Sequence, residues 1–347
     1  MPLVDRAMTF PDCSPIFVVG SGRSGTTLLQ AMLNAHPAIA IVGELHFFDQ
    51  VLLLKPVLPN LGDPEQADRL FELLPALPGL RLLSDFDRVL ARVRERLLTT
   101  THPSYEILYR FMLEAFAEEQ GASRLGEKTP ANLRYLDELT ALFPNCRIIH
   151  IVRDPRAVVA SKLKVPWSST DVVTNALKWK AEVDYARRFA MRRDSATARL
   201  LEVRYEELVT RPDHSARVLC EFIGEPHDER MLHHHLSSDR FAEREPWKTG
   251  VTRPVYQSSL NTWRDELRGS RLFLVERIAR MEMQYYGYER SRPRATALLA
   301  SPFVLCSEML RWLSYKWEER RQRIRQPAPV YGDNKRLLRI LLRSMMR

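Results

Sequence analysis

The chain has 347 residues, 45% of them apolar and 27% charged, so it can bury a substantial core and is neither a disordered tail nor a fibrous repeat. No apolar run reaches the roughly 18 residues of a membrane-spanning helix, and residues 1–15 lack the apolar stretch of a signal peptide, which favours a cytoplasmic protein. The four cysteines are scattered without zinc-ligand spacing, so neither a disulfide frame nor a metal site is expected.

The net charge of +9 is concentrated at the C-terminal end. Residues 291–347 contain thirteen Lys or Arg against four Asp or Glu, whereas the acids and bases of residues 1–290 balance. A protein that binds nucleic acid usually carries its basic patch on the folded body, beside recognisable reading motifs. The sequence shows no such motif, so nucleic acid is not an expected partner.

The first predicted element is a buried strand at residues 16–19, which runs into Gly20-Ser21-Gly22-Arg23-Ser24-Gly25-Thr26-Thr27 and then a helix over 26–35. Backbone N–H groups and the helix N-terminus converge there, which makes an anion cradle. The spacing matches a phosphate loop except that Thr26 replaces the lysine, so an ATPase or GTPase is disfavoured. Arg23 places a permanent cation inside the loop. A plain Gly-Ser turn is the alternative.

A helical insertion over residues 51–123 is predicted next. Its pattern is broken by prolines and contains two amphipathic helices, at 85–98 and 104–120, the second with Ser104 as its N-cap. Such an insertion fits a lid over a site, and we expect it on the acceptor side. A longer helix is predicted at 171–193.

A second anion site is predicted where the strand at 147–152 ends. Arg153 follows that strand, Pro155 opens a helix, and Ser161 lies about two turns further on. Open α/β sheets bind ligands at the carboxyl ends of their strands, so Arg153 and Ser161 could hold a second phosphate. A capping ion pair between Arg153 and Asp154 is the alternative.

Strand and helix alternate along the chain, with a further strand at 199–203. This order predicts an α/β fold with three layers around a central parallel sheet. We divide the chain into a domain at 1–290 and a basic amphipathic helical tail at 291–347. The tail fits helices lying on an anionic membrane surface, and packing on the body or in a homodimer is the alternative.

Together, the two phosphate motifs resemble those of the sulfotransferases that use 3′-phosphoadenosine 5′-phosphosulfate (PAPS), particularly the bacterial, tyrosylprotein-sulfotransferase-like branch. The motifs are residues 15–29 and 148–161, and the likeness covers roughly 14–290. Four shorter segments also look like that family: 34–37, 43–45, 126–130 and 204–208. The resemblance implies a P-loop-like fold and transfer of a sulfuryl group from PAPS to a hydroxyl, with no metal required.

The resemblance also implies two sets of residues that hold the donor. Those for the 5′-phosphosulfate are Arg23, Ser24, Gly25, Thr26 and Thr27. Those for the 3′-phosphate and ribose are Arg153, Ser161 and Tyr205. For Tyr205, a buried aromatic at a strand end is the alternative.

Three residues are implied for the transfer itself. Glu44 would be the general base, because tyrosylprotein-type enzymes carry a glutamate just after the second strand. Lys128 would lie near the transferred sulfate, with Arg23 at the bridging oxygen. The alternatives are that Glu44 only pairs with Arg23 or Lys128, that Lys128 is a surface lysine, and that His46 or His102 is the base.

Two later segments are weaker. Residues 258–264 look like the family's late nucleotide segment, but the tyrosylprotein enzymes put lysine where Thr262 stands, so Lys248 or Arg264 would have to replace it. The run of histidines at 233–235 suggests a metal, yet adjacent residues on a helix do not face one another, so a solvated surface segment is expected.

The function predicted from all of this is sulfate transfer from PAPS to a carbohydrate, lipid, tyrosine or other small-molecule hydroxyl. A P-loop kinase or NTPase is the competing enzyme class. A non-catalytic nucleotide-binding protein is the third reading.

Overall fold

A computed structural model describes residues 14–77, 80, 86–192, 199–236 and 250–291, with a few positions between 302 and 310. Nowhere in those ranges does a helix combine the length and the apolar character needed to cross a membrane. Nearly all of the predicted basic tail, and Lys248, lie outside the described residues. The division at residue 290 therefore stays a prediction.

The centre of the fold is a five-stranded sheet in which every pairing is parallel. Its strands are β1 (Ile16–Gly20), β2 (Ile39–Val42), β3 (Arg124–Lys128), β4 (Arg147–Val152) and β5 (Leu200–Arg204). Their spatial order is β2-β3-β1-β4-β5. The predicted α/β fold with a central parallel sheet is confirmed.

Helices cover the sheet on both sides. They are α1 (Thr26–Asn34), α2 (Pro64–Leu73), α3 (Phe86–Thr99), α4 (Tyr105–Glu119), α5 (Leu136–Leu142), α6 (Pro155–Lys162), α7 (Val172–Ala190), α8 (Tyr205–Thr210), α9 (Pro212–Ile223), α10 (Trp263–Glu266), α11 (Gly269–Ile278) and α12 (Arg280–Tyr285). Short helical turns occupy Phe47–Val51, Leu52–Leu54, Leu74–Ala76, Pro130–Tyr135, Glu229–Leu236 and Ser258–Leu260.

Alternation along β1 separates two apolar cores. Phe17 and Val19 enter the core that the insertion helices α2, α3 and α4 cover, whereas Ile16 and Val18 enter the core beneath α1 and α9. All four side chains are completely buried. A strand with both faces buried is a nearly continuous apolar run, which is why the sequence marks β1 so clearly.

The pattern predicts β1, β4 and β5 but not β2 or β3. Strand β3 contains arginine, glycine, glutamate and lysine, so its composition looks like a loop. Its glycine is dictated by the neighbouring strand, because a Cβ at Gly126 would lie 2.2 Å from the carbonyl oxygen of Ile16. Strand β2 is only four residues long, which is near the lower limit for a pattern to be visible.

The ends of the predicted helices agree with the observed helix ends to within a few residues. The Ser104 hydroxyl accepts a hydrogen bond from the Ile107 N–H at 3.2 Å and caps α4. The Asp171 carboxylate caps α7 through the Thr174 N–H. The solvated segment expected for the three histidines is wrong for His234, which is fully buried, and burial lowers the pKa of its imidazole to about 4.

Candidate functional site

The phosphate loop joins β1 to α1 and has a backbone that only certain residues tolerate. Arg23 and Gly25 both have positive φ, of 75° and 101°. A Cβ on Gly25 would lie 2.4 Å from Cδ2 of Tyr205, so glycine is required there for conformation and for space. The Ser24 hydroxyl is buried and makes no hydrogen bond within the described ranges. Because an unpaired buried hydroxyl is costly, this atom is suited to an anionic ligand.

The Arg153 guanidinium lies beside this loop, at the carboxyl end of β4. Its Nη1 donates to the carbonyl oxygen of Arg23 at 3.3 Å and its Nη2 to that of Ser259 at 2.9 Å. The guanidinium carbon lies 4.1 Å from the ring centroid of Tyr205. The Arg153 Nε is buried and has no hydrogen-bond partner in the part of the chain that the structure describes.

The alternative in which Arg153 only pairs with Asp154 is not what the structure shows. The Asp154 carboxylate caps α6 through the Arg156 N–H and binds the Arg156 guanidinium at 2.6 Å. Arg153 therefore presents its charge without a carboxylate neighbour among the described residues. That is the arrangement expected of a cation that meets an anionic ligand.

Helix α6 connects the two anion sites. The Arg23 Nε donates to the Ser161 Oγ at 3.0 Å, so the loop cation reaches the helix that follows Arg153. One residue later, the buried Lys162 Nζ donates to the Ser21 Oγ at 3.0 Å, and burial lowers the pKa of this lysine. Lys162 was not predicted as a site residue, because nothing in its local sequence pattern distinguishes it from a surface lysine.

A single cavity of about 300 Å³ spans both anion sites. Ser24, one of the eight predicted donor residues, does not line it. The other seven do: Arg23, Gly25, Thr26, Thr27, Arg153, Ser161 and Tyr205. Its wall also contains Ser259, whose Oγ lies 2.9 Å from the Tyr205 hydroxyl. Lys164 and Glu266 are further wall residues that sequence reasoning missed.

In the segment at 258–264, the residues that line the cavity do not include the one predicted to. Thr262 lines the cavity, but the Arg264 guanidinium lies 4.6 Å from the Trp263 ring centroid and is not part of the wall. Lys248 lies outside the described residues.

Glu44 and Lys128 form a second centre that does not line this cavity. The Lys128 Nζ donates to the Glu44 Oε1 at 2.6 Å, and the Nε2 of His46 lies 3.3 Å from the Glu44 Oε2. Only 1% of the Lys128 side chain is exposed, so it is not a surface lysine. Of the pairings considered for Glu44, the one with Lys128 is present.

His46 is unsuited to act as a base. Its imidazole is buried, which disfavours the charged form, but hydrogen bonds to Asp49 and Glu44 outweigh burial and raise its pKa to about 9. It is therefore protonated at neutral pH and has no lone pair to accept a proton. His102, the other candidate, is an exposed residue. Glu44 is the remaining base candidate.

Glu127, another residue that sequence reasoning missed, holds this second centre together. Its buried carboxylate accepts hydrogen bonds from the Leu45 N–H at 3.1 Å and from the Asn132 amide at 3.2 Å. The hydroxyls of Tyr109 and Thr129 also donate to it. Burial raises the pKa of Glu127. These contacts fix the chain segments that carry Glu44 and Lys128.

Comparison with known proteins agrees with this geometry. The sulfotransferase family model matches residues 15–229. Protein-tyrosine sulfotransferase 2 of Gallus gallus is 28% identical over 285 residues, which is 79% of this chain and 69% of that protein. Protein-tyrosine sulfotransferase 1 of Danio rerio is 27% identical over 263 residues, 73% of this chain and 66% of its own length.

Two solved structures share the fold. The sulfotransferase domain of the Synechococcus PCC 7002 olefin synthase superposes with a TM-score of 0.57 at 23% identity, covering 82% of this chain and 98% of that one. The sulfotransferase domain from the curacin biosynthetic pathway gives 0.58 at 20% identity, covering 82% and 100%. Since the family match contains both phosphate motifs and most of the sheet, this chain belongs to the sulfotransferase family and is a sulfotransferase enzyme.

Proposed function

We propose that the donor is PAPS and that the products are a sulfated acceptor and adenosine 3′,5′-bisphosphate. The observation that supports this most directly is the single cavity that both the phosphate loop and Arg153 line. Two buried polar atoms, Ser24 Oγ in the loop and Arg153 Nε, have no hydrogen-bond partner among the described residues. A nucleotide phosphorylated at both the 5′ and 3′ positions matches two such sites.

In the transfer, the acceptor oxygen forms a bond to sulfur while the bond from sulfur to the 5′-phosphate oxygen breaks. The acceptor proton passes to Glu44, and the bisphosphate leaves with the electron pair of the broken bond. A carboxylate is a weak base toward an alcohol, so most of the acceleration would come from alignment and fixed cations. Lys128 and Arg23 are the cations proposed to stabilise charge on the transferring group and the bridging oxygen.

The acceptor is proposed to carry a hydroxyl. Carbohydrate, lipid, small-molecule and tyrosine hydroxyls are all compatible with a base at Glu44. The relatives named as protein-tyrosine sulfotransferases make a phenol the first acceptor to test. The insertion at 51–123 is the proposed acceptor side, because it packs on the same face as the segment after β2 that carries Glu44.

Calorimetry with the full chain tests the donor. We expect adenosine 3′,5′-bisphosphate to bind more tightly than AMP, and Arg153→Lys to remove most of that difference, since lysine cannot reproduce two fixed N–H donors. Equal affinity of the two nucleotides for the unaltered protein would overturn the proposed donor.

Labelled PAPS tests the chemistry. Incubation with a lipid-plus-soluble extract and with phenolic acceptors should yield a labelled product, and Glu44→Gln should slow its formation about 100-fold or more. The variant should bind the bisphosphate normally. Normal turnover by Glu44→Gln would remove the base role, and binding without any turnover by the unaltered protein would favour a non-catalytic nucleotide-binding protein.

A further inference from the structure

We propose that Lys164 is a second cation of the 3′-phosphate site and that Glu266 holds it in the cavity until the nucleotide binds. This inference rests on the proposed donor. It adds a residue that discriminates between nucleotides with and without the 3′-phosphate.

The placement of Lys164 follows from α6. It lies three residues after Ser161, and its backbone N–H donates to the Ser161 carbonyl oxygen at 3.3 Å. Residues three apart on a helical turn share a face, so the two side chains point in similar directions. Both line the cavity, as does Arg153.

Glu266 approaches from the opposite element, at the end of α10. The Lys164 Nζ lies 2.5 Å from its Oε1. The Lys164 side chain is 63% exposed and that of Glu266 is 26% exposed. Exposed ion pairs contribute little to stability, so a phosphate can replace the carboxylate as the partner of this ammonium at small cost.

The charge balance of the cavity favours such an exchange. A phosphate monoester carries about −1.5 to −2 at neutral pH, and Arg153 supplies only one positive charge. Thr262 stands on the same wall but is neutral, and its hydroxyl donates to the Ser259 carbonyl oxygen at 3.3 Å. Without Lys164, Glu266 would present an uncompensated negative charge to the 3′-phosphate.

Calorimetry on the full chain, with adenosine 3′,5′-bisphosphate and AMP as the two probes, tests the inference. Lys164→Met keeps the length of the side chain and removes its charge, and we expect it to weaken bisphosphate binding about tenfold. AMP binding should stay unchanged. Glu266→Gln releases the ammonium and should leave bisphosphate binding equal or tighter.

Two controls separate charge from disturbance of the fold. Lys164→Arg keeps the cation and should retain most of the bisphosphate affinity. Arg94→Met removes an exposed cation that is also paired with an exposed carboxylate, 2.5 Å from Asp68, but does not line the cavity, so it should change neither affinity.

The outcomes distinguish this inference from the proposed function. If the unaltered protein prefers the bisphosphate and Lys164→Met has the same preference, Lys164 has no role in the 3′-phosphate site. If Lys164→Met weakens AMP and bisphosphate equally, the effect is structural and the inference is wrong. If the unaltered protein does not distinguish the two nucleotides, the donor proposal itself is wrong.

Discussion

His46 shows how a single residue can fix the charge around Glu44. Its imidazole lies between the carboxylates of Glu44 and Asp49, 3.3 Å and 3.9 Å away. It also adopts a left-handed backbone conformation, with φ of 51°. A protonated His46 and the buried Lys128 place two cations against Glu44. The carboxylate is thereby oriented, as the proposed base role requires.

This arrangement predicts a pH-dependent stability. Because the folded-state pKa of His46 is about 9, above the ordinary value of 6.5, its stabilisation is complete below pH 6.5 and is lost as the pH rises through 9. His46→Gln should therefore lower the free energy of unfolding by about 2–3 kcal/mol at pH 6 and have little effect above pH 9.5. Urea unfolding at both pH values measures this. A difference independent of pH would contradict the ion-pair assignment.

The site residues that could be predicted directly from the sequence are those that lie within a local motif. Arg23, the rest of the phosphate loop and Arg153 follow buried strands, and their placement needs only the strand-to-helix pattern. Glu44 and Lys128 came from resemblance alone. Lys164 and Glu266 could not be predicted as a pair, because they are 102 positions apart and meet only when α10 packs near α6.

At the level of elements, α6 is held in place by a buried network. The Arg156 guanidinium binds Asp154 at 2.6 Å and Glu276 of α11 at 2.8 Å, and lies 4.2 Å from the Trp263 ring centroid of α10. Arg156 thus connects three helices around the cavity. Since α6 also carries Ser161, this network determines where the second anion site lies.

Glu276→Ala should destabilise the protein strongly. Removing one partner leaves the buried Arg156 charge only partly compensated, which costs about 3–5 kcal/mol, measurable as a lower midpoint in chemical unfolding. Asp68→Ala is a matched control, because it breaks an exposed ion pair between Asp68 of α2 and Arg94 of α3 and should change the midpoint little. Equal effects of the two variants would show that the network does not hold α6.

The composition of each strand explains whether the sequence pattern predicted it. Strands β1 and β4 are mostly apolar and are visible in the sequence, whereas β3 contains a glycine that the neighbouring strand requires and three charged residues. Lys128 pairs in register with Val18 and lies at the end of β3, beside Glu44. Residues proposed to be functional therefore conceal the strand that positions them.

Over the whole molecule, the charge is divided between a neutral body and a basic C-terminal segment. The segment contains Lys335, Arg336, Arg339 and Arg343 among apolar residues at helical spacing, and it lies outside the described residues. We propose that it binds anionic membrane surfaces, to which each Lys or Arg contributes about 1 kcal/mol.

Replacing those four bases with glutamate in the full chain tests the proposal. The apparent affinity for vesicles rich in phosphatidylserine, measured by sedimentation, should fall by about three orders of magnitude or more. Neutral phosphatidylcholine vesicles should show little binding by either form. Nucleotide binding serves as the control for folding. Unchanged sedimentation would contradict the membrane proposal and would favour packing of the segment on the body or dimer formation.

Gly25 lies against the Tyr205 ring, and that ring lies against the Arg153 guanidinium. This arrangement has an evolutionary consequence. A side chain at position 25 would push the ring, and a displaced ring would move the guanidinium, so changes at these three positions are epistatic. A substitution at any one of them would therefore be tolerated only together with a compensating change at the others.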